Sequence, residues 1–154
     1  MQITPFAAAL ALVFAQTAWA EERGTPWPRH TINTGTRGAD GVRLADANGD
    51  GRLDVCTAFE EGGLVKVLLQ PPRDKIKDPW PAVVVGSDKD GEDAFFADVD
   101  GDGTLDIVSC HEGKTRSVFV HWAPQDKNPR DIKRYLDATA WKTEPFPMLR
   151  GKQM

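Results

Sequence analysis

The stretch ADANGDGRLDV at residues 45–55 recurs as ADVDGDGTLDI at residues 97–107. Each residue of the second copy lies 52 positions after its counterpart in the first. The similarity continues beyond these stretches, because Pro72 corresponds to Pro124 at the same spacing. A repeat of roughly 50 residues is typical of stacked arrays and of propeller blades. The sequence therefore predicts two copies of one structural unit.

Short apolar stretches separated by Gly and Pro surround both acidic stretches, which is typical of strands joined by turns. We expect strands at residues 42–45, 53–58, 64–69 and 81–86 in the first unit, and at 94–97, 105–110, 118–122 and 132–136 in the second. Four short strands in about 50 residues is the strand count of a propeller blade. The predicted fold class is therefore all-β, with two four-stranded antiparallel blades of the β-propeller type.

This interpretation divides the chain into five segments. They are a signal peptide at 1–20, an N-terminal segment at 21–37, repeat 1 at 38–86, repeat 2 at 87–137 and an irregular C-terminal tail at 138–154. Within the N-terminal segment, we expect residues 31–33 to supply an outer strand that closes a ring of blades.

The N-terminus has the pattern of a secretory signal peptide. Residues 6–14 are continuously apolar, and Ala18-Trp19-Ala20 follows as an A-x-A cleavage motif. Charged residues begin immediately afterwards, at Glu21. We therefore expect the mature chain to start at Glu21 and to be secreted, either to the extracellular space or to the periplasm. Calcium is plentiful there and disulfides can persist.

Composition excludes several classes of protein. The chain has 154 residues and a net charge of −4, which argues against nucleic acid as the main partner. We expect no membrane span, because no apolar run approaches the roughly 18 residues that a transmembrane helix needs. The 14 Gly and 11 Pro indicate frequent turns, and two Cys are too few for a disulfide framework.

Both acidic stretches follow the pattern D-x-[DN]-x-D-G-x-x-D, at residues 46–54 (loop 1) and 98–106 (loop 2). Side-chain oxygens at alternate positions of a tight loop can converge on one point, and a Gly at the sixth position permits the sharp turn. Such loops suit a hard cation with about six to eight oxygen ligands, so we expect one calcium ion in each. The predicted ligands are Asp46, Asn48, Asp50, the Arg52 carbonyl and Asp54 in loop 1, and Asp98, Asp100, Asp102, the Thr104 carbonyl and Asp106 in loop 2.

Other loop types fit this pattern less well. An EF-hand requires Glu at the twelfth position and flanking helices, whereas Thr57 and Ser109 occupy that position within β-rich stretches. A dockerin-type loop also requires an acidic twelfth residue and a following helix. The remaining alternative is a plain hairpin turn of the Asn-Gly or Asp-Gly type. Such a turn does not require four side-chain oxygens at a fixed spacing in both copies.

The two units resemble FG-GAP/VCBS repeats, the calcium-loop β-propeller repeats also found in integrin α-subunit heads. The resemblance covers residues 38–124, and WPRHTI at residues 27–32 resembles the first strand of secreted bacterial proteins of this type. It implies that each acidic loop links neighbouring strands of one blade. It also implies that the calcium ion has a structural role, because it fixes the loop.

The chain departs from such propellers in its number of units. A propeller has about four to eight blades, whereas this sequence contains two acidic loops. Two isolated blades would leave apolar faces uncovered. We expect the chain to be a truncated N-terminal fragment of a longer propeller. The alternative is self-association, in which copies of the chain meet through their open blade faces and form a ring.

Several other residues allow two interpretations each. Cys56 and Cys110 are expected to be buried free thiols, with an inter-blade disulfide as the alternative. His111 and Lys114 could act as an acid–base pair, although a polar strand end is the simpler interpretation. The tryptophans could stack on sugars, but packing between blades is the preferred interpretation. They are Trp27, Trp80, Trp122 and Trp141.

Two classes of function remain. The first is a secreted, calcium-stabilised binding or scaffold module whose ligand is an extracellular protein or a glycan. The second is the N-terminal part of a propeller enzyme, a lyase or hydrolase that acts on polysaccharide. Nothing in residues 21–154 assembles a nucleophile, a base and an orienting group. The binding module is therefore preferred, and no catalytic or cofactor-binding residue is assigned.

Overall fold

The computed structural model describes residues 24–87, 89–114, 116–125 and 132–146. The predicted signal peptide and the last part of the predicted tail lie outside these residues. The described chain forms two four-stranded antiparallel sheets with little helix, so the all-β prediction is confirmed. Sheet 1 consists of β1 (Ala39–Ala45), β2 (Asp54–Phe59), β3 (Leu64–Leu68) and β4 (Ala82–Gly86). Sheet 2 consists of β5 (Gly91–Ala97), β6 (Asp106–His111), β7 (Ser117–Trp122) and β8 (Lys142–Pro145).

In each sheet the strands lie side by side in the order in which they occur in the chain. Every neighbouring pair is antiparallel, as expected for strands joined by tight turns. The first and fourth strands lie at the edges, so neither sheet closes on itself within the part of the chain that the structure describes. The structure thus establishes two open meander sheets.

The two sheets repeat one another with a single insertion. Val55 pairs with Leu68 in sheet 1, and its counterpart Ile107 pairs with His121 in sheet 2. The first two strands of each sheet keep the spacing of 52 residues, but the third strands are therefore 53 residues apart. The repeat is a structural one, as the sequence predicted, and the insertion lies between the second and third strands.

The extra residue lies in the hairpin between the second and third strands. Residues 60–63 connect β2 to β3, whereas residues 112–116 connect β6 to β7. Beyond this hairpin Pro124 corresponds to Pro71, so the expected match of Pro72 with Pro124 is wrong by one position. A constant spacing cannot reveal an insertion inside a variable turn.

Helical structure is confined to short segments. Helix α1 spans Ile132–Tyr135, and single turns of 3-10 helix span Arg73–Lys75 and Ala138–Ala140. Among the described residues, no helix has the length and apolar character that crossing a membrane requires.

The fourth strand of sheet 2 lies later in the chain than predicted. Residues 132–136 were predicted to form it, but they contain α1, and the strand is β8 inside the segment 138–154 that was predicted to be irregular. Helix α1 buries the Tyr135 ring, which packs edge-on against Trp141 with ring centroids 4.9 Å apart. Trp141 Nε1 also donates to the Tyr135 carbonyl at 2.9 Å. These contacts fix the chain reversal that leads into β8.

Residues 31–33 were predicted to form an outer strand, but they do not form one. The segment instead packs over sheet 1, on the face directed away from sheet 2. Lys66 Nζ on that face donates to the side chains of Asn33, at 3.4 Å, and Thr36. The Trp80 N–H also donates to the Ile32 carbonyl at 2.8 Å, so the segment is held beside the start of β4 without forming a strand.

The hydrophobic core lies between the two sheets. Strand β5 of sheet 2 packs against β1 and β2 of sheet 1, and Cys56 Sγ donates across the interface to the Ala94 carbonyl at 3.2 Å. At the edge of the interface Arg43 forms an ion pair with Asp93. We call the two sheet faces that meet here the inner faces and the opposite two the outer faces. The inner faces contribute Cys56, Ala58, Val65, Val67, Ala94, Phe96 and Ile107 to the core.

Candidate metal loops

The two acidic loops occupy equivalent places in the two sheets. Loop 1 joins β1 to β2, and loop 2 joins β5 to β6. Gly51 and Gly103, at the sixth position, have φ angles of 83° and 86°. This left-handed conformation is strained for residues with a Cβ atom. The turn therefore requires the glycine at this position of the pattern.

The carboxylate at the first position organises each loop. Asp46 accepts a hydrogen bond from the backbone N–H of Gly51 at 2.8 Å. The counterpart bond in loop 2 runs from the Gly103 N–H to Asp98 at 3.1 Å. Short polar side chains commonly bond to nearby backbone groups in this way. Loop 1 and loop 2 therefore share their backbone course as well as their sequence pattern.

The carboxylate at the ninth position connects loop 1 to the end of the third strand. Asp54 accepts the Ala47 N–H at 2.9 Å through one oxygen and the Gln70 N–H at 2.8 Å through the other. The side chain is fully buried. Burial raises the pKa of Asp54, whereas the hydrogen bonds from Gln70 and Ala47 act to lower it. Asp54 therefore works as a buried hydrogen-bond acceptor.

Asp106 plays the same part in loop 2. It accepts the Val99 N–H at 3.1 Å and the Ala123 N–H at 2.8 Å. Burial again raises its pKa, and the two backbone donors again oppose that shift. Both carboxylate oxygens at the ninth position are thus bound to backbone in each loop. The predicted role of Asp54 and Asp106 as metal ligands stays a prediction.

Loop 2 brings three of its predicted ligands together. Asp98, Asp100 and Asp102 are exposed, and each offers one carboxylate oxygen within 4.8 Å of those of the other two. Like charges this close repel one another, so a cation between them would lower the energy of the loop. Carboxylate oxygens are the ligands that calcium prefers. The donor chemistry of these three residues therefore fits the predicted ion, and the Thr104 carbonyl stays a predicted fourth ligand.

Loop 1 carries a cation of its own. Asp50 forms an ion pair with the guanidinium of Arg52, whose Nε also donates to the Gln70 carbonyl at 2.9 Å. The third position of the pattern holds Asn48, which is buried and accepts the Asp50 N–H at 3.1 Å. Within the described chain, loop 1 forms no group of three carboxylates like that in loop 2. Thr104 takes the place of Arg52 in loop 2, so the two loops differ in local charge.

Three side chains at the loops were absent from the sequence-based ligand set. The Arg52 guanidinium is one, and its replacement by Thr in the second copy was visible in the sequence. The other two are amides: Gln125 Nε2 donates to Asp100 at 3.2 Å, and Gln70 Oε1 accepts the Leu53 N–H at 3.0 Å. Both glutamines follow the third strand, and nothing in the loop pattern indicates that this strand ends beside the loop.

A buried polar network lies between the two sheets. Ser109 Oγ lies 2.8 Å from Nε2 of His111 and 2.8 Å from Nε2 of His121. His111 Nδ1 donates to the Lys89 carbonyl at 3.0 Å, and His121 Nδ1 lies 2.8 Å from Thr143 Oγ1. Ser109 and both histidines are buried. The network therefore belongs to the inter-sheet interface.

The predicted acid–base pair of His111 and Lys114 is not assembled. The His111 ring is buried with a protein partner at each nitrogen, whereas Lys114 is exposed. The neighbouring His121 ring lies so close to β4 that a Cβ atom on Gly86 would approach it to 2.3 Å. The histidines thus support sheet packing rather than chemistry at the surface.

The tryptophans have different environments. Trp141 is buried in the core, in agreement with the packing interpretation. Trp122 Nε1 donates to Glu144 at 3.1 Å, and Trp80 Nε1 donates to a backbone carbonyl. Trp27 is almost fully exposed. Packing between the sheets therefore holds for Trp141, and the other three have more solvent-accessible positions.

Trp122 lines a groove beside loop 2. The groove has a volume of about 410 Å³ and combines one aromatic side chain with groups of both charges. Asp100 belongs both to this groove and to the carboxylate group of loop 2. The polar and aromatic lining consists of Asp100, Trp122, Gln125, Arg134, Lys142 and Glu144.

The two cysteines are free. Cys56 lies on the inner face of sheet 1, and burial raises the pKa of its thiol to about 12. Cys110 is half-buried and lies on the outer face of sheet 2, where it pairs with Val118 of the next strand. The thiols belong to different sheet faces and are free, as expected, so they do not form the alternative disulfide. The expected burial holds for Cys56 but not for Cys110.

Comparisons of the chain with protein-family models, with curated proteins and with solved structures returned no match. What the chain does must therefore be inferred from its own loops and sheets.

Proposed function

We propose that the chain is a secreted calcium-binding module of β-propeller repeats that binds an extracellular protein or a glycan. In this proposal the two sheets are blades, and calcium is structural rather than catalytic. The resemblance of residues 38–124 to FG-GAP/VCBS repeats supports the blades. The supporting geometry lies in the acidic loops and in the groove beside loop 2.

The observation that carries the proposal is the carboxylate group of loop 2. Asp98, Asp100 and Asp102 present oxygens within 4.8 Å of one another on an exposed loop. Calcium bound there would neutralise their mutual repulsion and hold the loop in one conformation. Because Asp106 ties the same loop to the end of β7 through the Ala123 N–H, the ion would stabilise three strands of sheet 2 together.

The groove beside loop 2 supports a binding role. Trp122 offers an aromatic surface on which the apolar face of a sugar ring can stack, and Lys142 and Glu144 offer polar contacts to hydroxyl groups. Asp100 contributes to both the groove and the ion site. A calcium ion in loop 2 would therefore also fix one wall of the groove.

Calcium titration of the mature chain, followed by calorimetry and by thermal unfolding, tests the metal proposal. We expect calcium to bind with sub-millimolar affinity and to raise Tm, and a chelator to reverse the rise. Asp100→Asn should weaken binding to loop 2, because it removes one of three clustered charges. Asp74→Asn, on an exposed 3-10 turn, is the matched control and should leave binding unchanged. Absence of both heat and Tm shift at millimolar calcium would overturn the proposal.

Secretion is tested separately from metal binding. The proposal expects the chain recovered outside the cytoplasm of its native host to begin at Glu21, as read by N-terminal sequencing. A chain retained in the cytoplasm with Met1 or Gln2 at its N-terminus would contradict secretion without affecting the calcium titration.

A further inference from the structure

The internal repeat relates each outer face to the inner face of the other sheet. Side chains alternate between the two faces of a strand, and the spacing of 52 or 53 residues carries one sheet onto the next. The outer face of sheet 1 is thus the counterpart of the inner face of sheet 2. Likewise, the outer face of sheet 2 is the counterpart of the inner face of sheet 1. Part of what the repeat buries inside the molecule is therefore present a second time on its surface, at the first strand of each sheet and at Val118. Other residues are buried on the outer faces as well, namely Val55 and Leu68 of sheet 1 and Val108 and Val120 of sheet 2.

The outer face of sheet 1 exposes apolar residues whose counterparts are buried. Val42 is 54% exposed and Leu44 58%, on strand β1. Their counterparts on β5 are Ala94, which is fully buried, and Phe96, which packs against the core. Leu53 is also exposed, and its counterpart Leu105 packs against the core. Residues 31–36 cover the β2–β3 part of this face and leave the β1 side open.

The outer face of sheet 2 shows the reciprocal pattern. Val118 is 39% exposed, and its counterpart Val65 is fully buried between the sheets. Phe95 is 43% exposed on β5, at the position that Arg43 occupies on β1. The side chain at that position reaches the neighbouring sheet inside the molecule, where Arg43 pairs with Asp93. Phe95 is therefore placed to contact a further sheet in the same way.

In place of the truncated fragment expected from the sequence, we propose the alternative of self-association: a second copy of this chain docks on these surfaces, with the outer face of sheet 1 of one copy packed on the outer face of sheet 2 of the next. The proposal rests on the blade part of the proposed function but not on its calcium part. The contact would continue the interface that already joins the two sheets within one chain. Strand β1 of one copy would lie on β5 of the other, as β5 lies on β1 and β2 inside the molecule.

The chemistry of the paired positions suits an apolar contact. Inside the chain, Arg43 and Asp93 form an ion pair across the interface. The counterpart of Arg43 is Phe95, so an aromatic ring would lie between two copies where a guanidinium lies inside the chain. Gly41 already contacts Asp93 of its own chain and takes no part in the contact between copies.

The symmetry of the assembly follows from the use of two different faces. A contact between unlike patches is heterologous, and repeated copies either close into a ring or grow into a filament. Propellers contain about four to eight blades, so a closed ring would contain about two to four copies of this two-sheet chain. The inference therefore specifies a head-to-tail assembly and excludes a dimer formed by two identical faces.

Two variants that each block one face provide the test. Leu44→Asp places a charge on the outer face of sheet 1, and Phe95→Asp places one on the outer face of sheet 2. Both sites are exposed, so both variants should fold, which circular dichroism and Tm would verify. Ile132→Asp is the matched control, because Ile132 is an exposed apolar residue outside both sheets. Masses are measured in calcium by light scattering coupled to size exclusion.

We expect the unmodified mature chain and Ile132→Asp to show the same multiple of the chain mass, and each face variant alone to be a monomer. Leu44→Asp keeps an intact outer face on sheet 2, and Phe95→Asp keeps one on sheet 1. An equimolar mixture of the two should therefore give dimers and nothing larger. A monomeric unmodified chain, or face variants that still assemble, would overturn the inference. So would a native secreted product whose intact mass shows further repeats on the same chain. Calcium titration stays the separate readout, since a monomer that binds calcium refutes only the assembly.

Discussion

Asp54 Oδ1 accepts the backbone N–H of Gln70 at 2.8 Å, although 16 residues separate the two in the chain. This bond joins the end of loop 1 to the end of the third strand. Asp106 and Ala123 form the equivalent bond in sheet 2, also at 2.8 Å. In each sheet the ninth-position carboxylate therefore connects the acidic loop to the end of the third strand.

Replacing either ninth-position carboxylate should destabilise the metal-free chain. In Asp54→Ala or Asp106→Ala, two backbone N–H groups lose their acceptor, and each buried unsatisfied group costs about 1–3 kcal/mol. We expect each variant to lower the free energy of unfolding by about 2–6 kcal/mol. Urea denaturation in the presence of a chelator measures this without any contribution from calcium.

The asparagine variant at the same site is the informative comparison. Asp106→Asn keeps one acceptor oxygen and should therefore lose less stability than Asp106→Ala. Asp74→Ala, on the exposed turn Arg73–Lys75, should stay within about 0.5 kcal/mol of the unmodified chain. If Asp106→Ala were as stable as Asp74→Ala, the carboxylate would not tie the loop to the third strand.

Exchanging the residues at the seventh position, Arg52 and Thr104, should reverse the charge difference between the two loops. Arg52→Thr removes the cation that pairs with Asp50, so loop 1 should gain affinity for calcium. Thr104→Arg brings a guanidinium to loop 2, whose three clustered carboxylates should then bind calcium more weakly. Calorimetric titration of both variants measures these opposite shifts. Shifts of the same sign would show that the residue at the seventh position does not set the local charge of its loop.

Removal of the Ser109 hydroxyl should weaken the inter-sheet interface. In Ser109→Ala, Nε2 of His111 and Nε2 of His121 both lose the partner they have at 2.8 Å. We expect a loss of about 1–3 kcal/mol in the free energy of unfolding, read from urea denaturation. Ser87 is exposed and follows directly after β4, so Ser87→Ala should leave stability nearly unchanged. Equal stability of the two variants would contradict a role for the network.

The two thiols should differ in reactivity. Because the pKa of Cys56 is raised to about 12 by burial, its thiol stays protonated at pH 9, whereas in the unfolded chain a thiol with a pKa near 9.0 is half ionised. Alkylation at pH 9 should therefore modify Cys110 first and Cys56 only after denaturant is added, because the thiolate is the reactive form. Cys110→Ala and Cys56→Ala assign the two sites by mass spectrometry. Rapid modification of Cys56 in the folded chain would contradict its burial.

Much of the fold could be predicted because each unit carries a local signature. The acidic pattern fixed the position of each loop, and the Gly and Pro around it marked the ends of strands. The strand predicted at 132–136 was wrong for a physical reason. Its single large aromatic residue, Tyr135, is buried from a helical turn by contact with Trp141, which lies outside the predicted repeat. A tertiary contact thus overrode a local pattern.

The candidate site could be predicted in part. The clustering of Asp98, Asp100 and Asp102 follows from their alternation in a tight loop, which the sequence displays directly. The binding of Asp106 to backbone could not be predicted, because its partner Ala123 lies beyond a hairpin that contains the inserted residue. A loop pattern thus predicts contacts among its own residues, but it does not identify hydrogen-bond partners on other strands.

The insertion between β6 and β7 also has a practical consequence for engineering the chain. Residues 112–116 form a connection one residue longer than the equivalent 60–63, and sheet 2 nevertheless keeps the strand order of sheet 1. The β2–β3 and β6–β7 hairpins lie at the opposite end of their sheets from the acidic loops. A peptide epitope or a fluorescent label inserted between β6 and β7 would therefore lie at the end of sheet 2 opposite loop 2, away from the residues through which the chain is proposed to bind calcium.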